Sequence, residues 1–196
     1  MVRLEFPPPE KGTFVQAAGP PAVSPDGRRV VFRFRANDGK AMLWVRDLDQ
    51  MHARMLPGTD APATPFWAPD SRQIGFVSSG KLMKIDVTGG PAVTLANASG
   101  LFRGGTWNQD DVIVYSPEPT SVLVRLSAGG GTPAPVTELD TSRNEVGHRY
   151  PHFLPDGRHF LYLAVSSDPA KTAVFVGDLE SKDKKLIGQI GSNVDM

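Results

Sequence analysis

Four histidines, a recurring aspartate and two serine pairs are the residues of this chain whose types could carry chemistry. His148 and His152 are four apart, the spacing at which a helix aims two imidazoles at one metal ion. His52 and His159 lie elsewhere. The segment around His148 reads as a loop entering a strand, and strand residues four apart share a face at about 13 Å, too far for one ion. No calcium-loop pattern of carboxylates accompanies them. The chain has no cysteine, which removes thiolate ligands, disulfides and a cysteine nucleophile. Structural or surface histidines, and no metal, are therefore expected. Ser78-Ser79 and Ser166-Ser167 sit in polar, turn-like stretches, and a Ser-His-Asp hydrolase would need a Gly-x-Ser-x-Gly elbow that occurs nowhere. Gly129-Gly130-Gly131 lacks the Lys-Ser/Thr and the helix start of a phosphate loop. Asp26, Asp70, Asp110 and Asp156 each fall in a turn signal. Their carboxylates are expected to accept backbone N–H groups of their own turns. The expectation is a non-enzyme with no catalytic residue and no cofactor.

Composition narrows the partners. Lys plus Arg and Asp plus Glu number 21 each, without the basic surplus that nucleic-acid binding needs. The longest apolar run, Phe160 to Val165, is six residues, far below the ~18 of a membrane span. The first residues, Met1 to Pro7, lack the apolar stretch of a signal peptide. No nucleic acid and no direct membrane insertion are expected. The 20 glycines and 18 prolines make up about 19% of the chain, against a usual ~12%. Frequent turns between short strands account for that surplus.

The elements that position these residues repeat. Ala22-Val23-Ser24-Pro25-Asp26-Gly27 precedes Val30-Val31-Phe32, and Phe66-Trp67-Ala68-Pro69-Asp70-Ser71 precedes Ile74-Gly75-Phe76. Thr106-Trp107-Asn108-Gln109-Asp110-Asp111 precedes Val112-Ile113-Val114-Tyr115, and His152-Phe153-Leu154-Pro155-Asp156-Gly157 precedes Phe160-Leu161-Tyr162. The aspartates are 44, 40 and 46 residues apart, the period of one four-stranded propeller blade. An aromatic follows the aspartate by six residues in three copies, and Tyr115 by five, as if the third turn had lost a residue. Ser-Pro-Asp-Gly matches a type I turn, with proline fixing φ at its second position. Outer strands are expected to end near Leu56, Leu95, Leu139 and Ile187. A helix through Trp44, Leu48, Met51 and Met55 competes by spacing, but Gly89-Gly90-Pro91 in the equivalent stretch excludes it.

These units resemble the WD40-like (PD40) repeats of TolB-like β-propellers, over roughly residues 14–190. More narrowly, Leu43-Trp44-Val45-Arg46, Gly80-Lys81-Leu82-Met83-Lys84-Ile85-Asp86, Gly104-Gly105-Thr106-Trp107-Asn108 and His152 to Tyr162 look like one particular group. That group is the propeller region C-terminal to bacterial serine/threonine protein kinases of acidobacterial type. None of the kinase's own motifs is in this chain. The resemblance implies an all-β propeller of four PD40-like blades, part of a larger ring of six to eight. It also implies an extracytoplasmic sensor or protein-interaction role. The alternatives are a stand-alone TolB-like periplasmic scaffold and the regulatory propeller of a prolyl-oligopeptidase-type peptidase.

The expected units are a strand or linker at 1–13, which could close a ring, then blades at 14–58, 59–96, 97–140 and 141–190. Residues 191–196 would begin a further blade or form a tail. An open half-ring exposes sheet faces and could pair with a second copy. In propellers, loops from each outer strand to the next inner strand line one mouth of the central channel. Here they are expected near 57–65, 96–105 and 140–151. They offer Phe102, Arg103, Arg143, Glu145, His148, Arg149 and Tyr150 as a surface for a protein or peptide, or for a small anionic ligand at the mouth.

Overall fold

The computed structural model describes residues 8–9, 11–15, 19–99 and 101–190. Among the described residues the strands form four antiparallel sheets, one per sequence repeat. The first contains β1 (Gly12–Phe14), β2 (Ala22–Val23), β3 (Arg29–Ala36), β4 (Ala41–Asp47) and β5 (Ala53–Met55). The second is β6 (Ala63–Trp67), β7 (Gln73–Ser78), β8 (Lys81–Asp86) and β9 (Val93–Asn97). The third is β10 (Gly105–Trp107), β11 (Val112–Tyr115), β12 (Val124–Ser127) and β13 (Ala134–Pro135). The fourth is β14 (Glu145–Phe153), β15 (His159–Ser166), β16 (Ala173–Asp178) and β17 (Lys184–Gln189). Each of the last three is a simple up-and-down meander. In the first, β1 and β2 share one edge of β3, pairing with Phe34–Ala36 and with Val30–Val31 respectively. This is a β-propeller with four blades, and Trp44 and Met55 lie on paired strands as the repeat required.

The period-2 alternation of each strand decides which blade it touches. Val31, Leu43 and Val45 pack against Trp67, Ile74, Phe76 and Ile85 of the second blade. Phe66, Val77 and Leu82 of the second meet Trp107, Ile113 and Tyr115 of the third. Val114, Leu123 and Val136 meet Phe160, Tyr162 and Phe175 of the fourth. The opposite face of the first blade buries Val30, Phe32, Phe34, Met42 and Trp44, with Phe14 of β1 against them. Each of the four clusters thus holds one repeat aromatic: Phe32, Phe76, Tyr115 or Tyr162. Among the described residues, none of these clusters joins the first blade to the fourth.

The turn that opens each repeat is closed by the same hydrogen bond: Gly27, Ser71, Asp111 and Gly157 donate to the carbonyls of Ser24, Ala68, Asn108 and Leu154. All four donors are left-handed, with φ of 69°, 60°, 57° and 70°. Glycine takes that conformation freely. The third turn is indeed shorter, because Asn108 bonds back to Val112, whereas Ser24 reaches Arg29. Two differences from the sequence reading concern strand limits. The third outer strand stops at Pro135 instead of near Leu139: Val136 still donates to the Leu123 carbonyl, but the Leu123 N–H goes to the Thr137 hydroxyl instead of a backbone carbonyl. The segment 140–151, expected to be a loop, is a single 3-10 turn at Thr141–Arg143 followed directly by β14. The segment Val2–Phe6, a possible ring-closing strand, lies outside the described residues.

Candidate functional site

The first strands of all four blades, with the turns that follow them, line one cleft of about 520 Å³. Ala22, Val23 and Pro25 come from the first blade, and Pro65 to Trp67 with Pro69 from the second. Gly105 to Gln109 come from the third, and His152 to Pro155 with Gly157 from the fourth. Bonds between blades fix its walls. The Trp67 indole donates to the carbonyl of Ala22 at 2.9 Å, and the Asn108 amide to that of Gly157 at 2.6 Å. The N–H of Phe153 donates to Thr106 Oγ1 at 3.2 Å. The Trp107 indole is held at its own turn by Asp111, at 3.1 Å. Gln109 and His152 remain exposed within this apolar frame. Fixed aromatic and proline surfaces beside free amide and imidazole groups suit a bound polypeptide.

The turn aspartates are structural. Asp26, Asp70 and Asp156 accept the backbone N–H of Arg28, Arg72 and Arg158. In the third turn Asn108 does this instead of Asp110, accepting from Asp110 and Val112. The carboxyls of Asp26 and Asp156 are held below the usual range by these bonds and by those from Ser24 and His159. Among the described residues no three metal-ligating groups converge, and no helix is long and apolar enough to cross a membrane.

The seven residues expected at the loop mouth separate into two groups. Phe102 is buried and stacks on Tyr115 at 6.2 Å. Glu145 and His148 have fully buried side chains. Glu145 accepts from the Asp140 N–H at 2.8 Å, from His148 Nε2 at 3.1 Å and from Lys184 Nζ at 3.1 Å. His148 Nδ1 faces Thr137 Oγ1 at 2.7 Å, and Thr137 accepts the N–H of Leu123 at 2.9 Å. A neutral imidazole satisfies every partner, with Nε2–H given to the carboxylate and Nδ1 accepting the threonine hydroxyl. Burial lowers the His148 pKa by more than Glu145 raises it. Burial also pushes Glu145 upward, but the bonds from Asp140, His148 and Lys184 outweigh it and keep the carboxylate ionised. Arg143 covers the Phe175 ring at 5.3 Å and donates to the Lys171 carbonyl at 2.6 Å. These four residues join blades or close loops.

His148 and His152 do not even share a face. A bulge at Tyr150 and Pro151 shifts the register, so that His148 opposes Ala164 while His152 opposes Leu161. The extra residue reverses the alternation. His148 therefore packs on Tyr162, at 4.8 Å, and His152 borders the cleft.

Arg103, Arg149 and Tyr150 form the second group, at the end of the first strands opposite the Pro-Asp turns. The Tyr150 N–H donates to the Arg103 carbonyl at 2.7 Å. Gly104, at φ 96°, lets the two segments approach: a Cβ there would stand 3.1 Å from Tyr150 Cα. Tyr150 itself is left-handed at φ 52°, an uncommon state for an aromatic residue and a store of strain. Among the described residues Arg103 Nε is buried without a hydrogen-bond partner, and Arg149 Nε makes one long bond, 3.4 Å, to the Pro119 carbonyl. The Arg149 pKa is lowered first by burial and then by the charge of Arg103. Sequence reasoning found these arginines but missed Lys184 and Thr137, although Thr137 has a counterpart in Thr59, which accepts the N–H of Leu43 as Thr137 accepts that of Leu123.

No protein-family model matches the chain, and no curated protein does. Solved structures match its fold. A structure described as TolB from Agrobacterium tumefaciens superposes with a TM-score of 0.69 at 16% identity, covering 84% of this chain and 62% of that one. A propeller from a nidogen/laminin complex gives 0.63 at 18%, covering 86% and 63%. A prolyl endopeptidase gives 0.63 at 15%, covering 88% of this chain and 30% of the enzyme. The chain thus spans less than two thirds of the length of each of these three, and at such identities the likeness is one of fold.

Proposed function

We propose that this chain is a non-enzymatic propeller module that binds a protein or peptide, part of a larger extracytoplasmic receptor of the bacterial serine/threonine kinase type. The observation that carries the interaction role is the cleft on which all four blades converge, walled by Trp67, Trp107 and Phe153 and carrying Gln109 and His152 exposed. TolB-like neighbours support a propeller scaffold or interaction module. The nidogen neighbour was solved in a complex with laminin. The kinase association and the extracytoplasmic location rest on the sequence resemblance. Peptides selected by display on the folded chain, then titrated by calorimetry, test the binding role. Gln109→Ala and His152→Ala are expected to weaken them at least ten-fold; wild-type affinity in both variants refutes the cleft. An upstream kinase with a membrane span in the parent gene supports the finer reading. A downstream Gly-x-Ser-x-Gly domain would instead favour the peptidase, whose propeller is among the structural neighbours.

The fourth blade supports a homodimer as one further element of this reading. Strand β4 of the first blade is buried on both faces, whereas β16 alternates between buried and half-exposed residues. Val174 and Val176 on that outer side oppose Leu163 and Leu161 of β15. A second copy stacking there would cover an apolar sheet face. Light scattering decides it: a compact monomer at all concentrations refutes the pairing.

A further inference from the structure

We propose that Arg103 and Arg149 form a receptor for a carboxylate carried by a partner polypeptide, with Leu101 and Tyr150 taking apolar side chains beside it. The proposal rests on reading the chain as an interaction module and adds a recognition chemistry at the mouth opposite the cleft turns. Two arginines, both charged at any physiological pH, stand on neighbouring segments: Tyr150, next to Arg149, is bonded through its backbone to Arg103. The bond from Tyr150 N–H to the Arg103 carbonyl and the close approach at Gly104 hold the two segments side by side. A folded protein ordinarily sets a carboxylate beside such a pair. Here none lies within 4 Å of either arginine among the described residues. The acid on the same strand, Glu145, is already engaged by His148, Lys184 and the Asp140 N–H.

The arrangement is therefore unbalanced in the free protein. Arg103 Nε has no acceptor among the described residues, and Arg103 and Arg149 are each half-exposed as residues, so both remain open to an acceptor that a ligand brings. A carboxylate matches the planar donor fork of arginine with two parallel bonds. The neighbours favour a polypeptide as its carrier over a small inorganic ion. Leu101, two residues before Arg103, is 61% exposed, and Tyr150, next to Arg149, is 42% exposed, so the segments that carry the arginines also offer apolar surface that side chains of a peptide can cover. The left-handed backbone of Tyr150 belongs to the bulge that aims this segment, and bulges re-aim side chains in this way.

The test uses the full chain, a labelled capped peptide Leu-Glu-Phe-Glu-Leu, its Leu-Gln-Phe-Gln-Leu twin, sodium glutarate and sodium phosphate. By fluorescence anisotropy the acidic peptide is expected to bind at least ten-fold more tightly than the amide twin. Arg103→Gln and Arg149→Gln each abolish that preference, and glutarate displaces the peptide better than phosphate does. Thermal unfolding is expected to show Tm unchanged or raised in both variants, because each removes one of two repelling charges. Glutarate should raise the wild-type Tm beyond matched sodium chloride, and not that of the variants. Equal binding of the twins, no binding of either, or better displacement by phosphate overturns the proposal. So does a fall of several degrees in the Tm of both variants, which would make the arginines structural. Loss of selected peptides in Gln109→Ala and His152→Ala, with both arginine variants silent, keeps the interaction module and rejects the carboxylate site.

Discussion

Replacing Glu145 by alanine removes the acceptor at the centre of the contact between the third and fourth blades. Its side chain is 0% exposed and meets the Asp140 N–H, His148 Nε2 and Lys184 Nζ at 2.8, 3.1 and 3.1 Å. The substitution strands a backbone donor and an imidazole donor out of water. Breaking a buried ion pair from one side costs roughly 3–5 kcal/mol. Lys184 keeps Asp140 at 3.5 Å and has 24% of its side chain in solvent, so the lower end applies, about 3 kcal/mol. For a chain of this length that is a fall in Tm of about 6–12 °C. Urea unfolding at pH 7.5 measures it, with Glu145→Gln as the control that restores an acceptor without the charge and is expected to lie between. A loss below about 1 kcal/mol in Glu145→Ala would refute the account of this contact. Acid titration gives an independent check. His148 has a folded pKa below its ordinary 6.5, so below that value the unfolded chain takes up a proton that the folded chain refuses. Stability should therefore fall as pH drops below 6.5, by at most ~1.4 kcal/mol per pH unit from this one group. His148→Gln should flatten that part of the curve. Glu145 then adds its own loss below 4.5, as pH falls through its lowered pKa.

Three other outcomes are expected. Asn108→Ala removes two acceptor bonds in its turn and the donor to the Gly157 carbonyl, and should destabilise by about 2–4 kcal/mol in chemical denaturation. Gly75→Ala places a Cβ 2.3 Å from the Phe66 ring. The overpacking should cost about 1–3 kcal/mol, and Phe66→Leu in the same chain should recover part of it; strict additivity would contradict the contact. Asp178 titrates at about 2, chiefly because of its bonds with Arg158. Arg158→Gln should move it toward the ordinary 3.8 in an NMR titration, and an unchanged value would remove Arg158 as the cause.

Much of the frame was legible because a repeat states the same local solution four times. Phe32, Phe76, Tyr115 and Tyr162 could be aligned by their distance from a turn, and each is now found in a different cluster, the last three between neighbouring blades and Phe32 on the opposite face of the first. The shortened third turn showed as a missing residue before Tyr115 and reappears as the Asn108–Val112 bond. The site was less legible. Arg143, Glu145, His148, Arg149 and Tyr150 looked alike as a polar stretch, and sequence alone gave no way to divide them. The bulge at Tyr150 and Pro151 turned His148 inward and His152 toward the cleft, and no periodic signal announces one extra residue. Thr137 and Lys184, which complete the buried network with Glu145, are 47 residues apart.

By itself, then, the sequence determined the blade: turn chemistry from Pro and Gly, strand faces from period-2 alternation, and the blade count from aspartates 40–46 residues apart. These are local quantities, set by a residue and its near neighbours. The tertiary structure alone decided which polar groups face each other across blades. It consumed Glu145 and His148 in a buried contact, left Arg103 and Arg149 without an acid among the described residues, and gathered four first strands around one cleft. Those outcomes depend on distances between chain segments far apart in sequence, which no local pattern specifies.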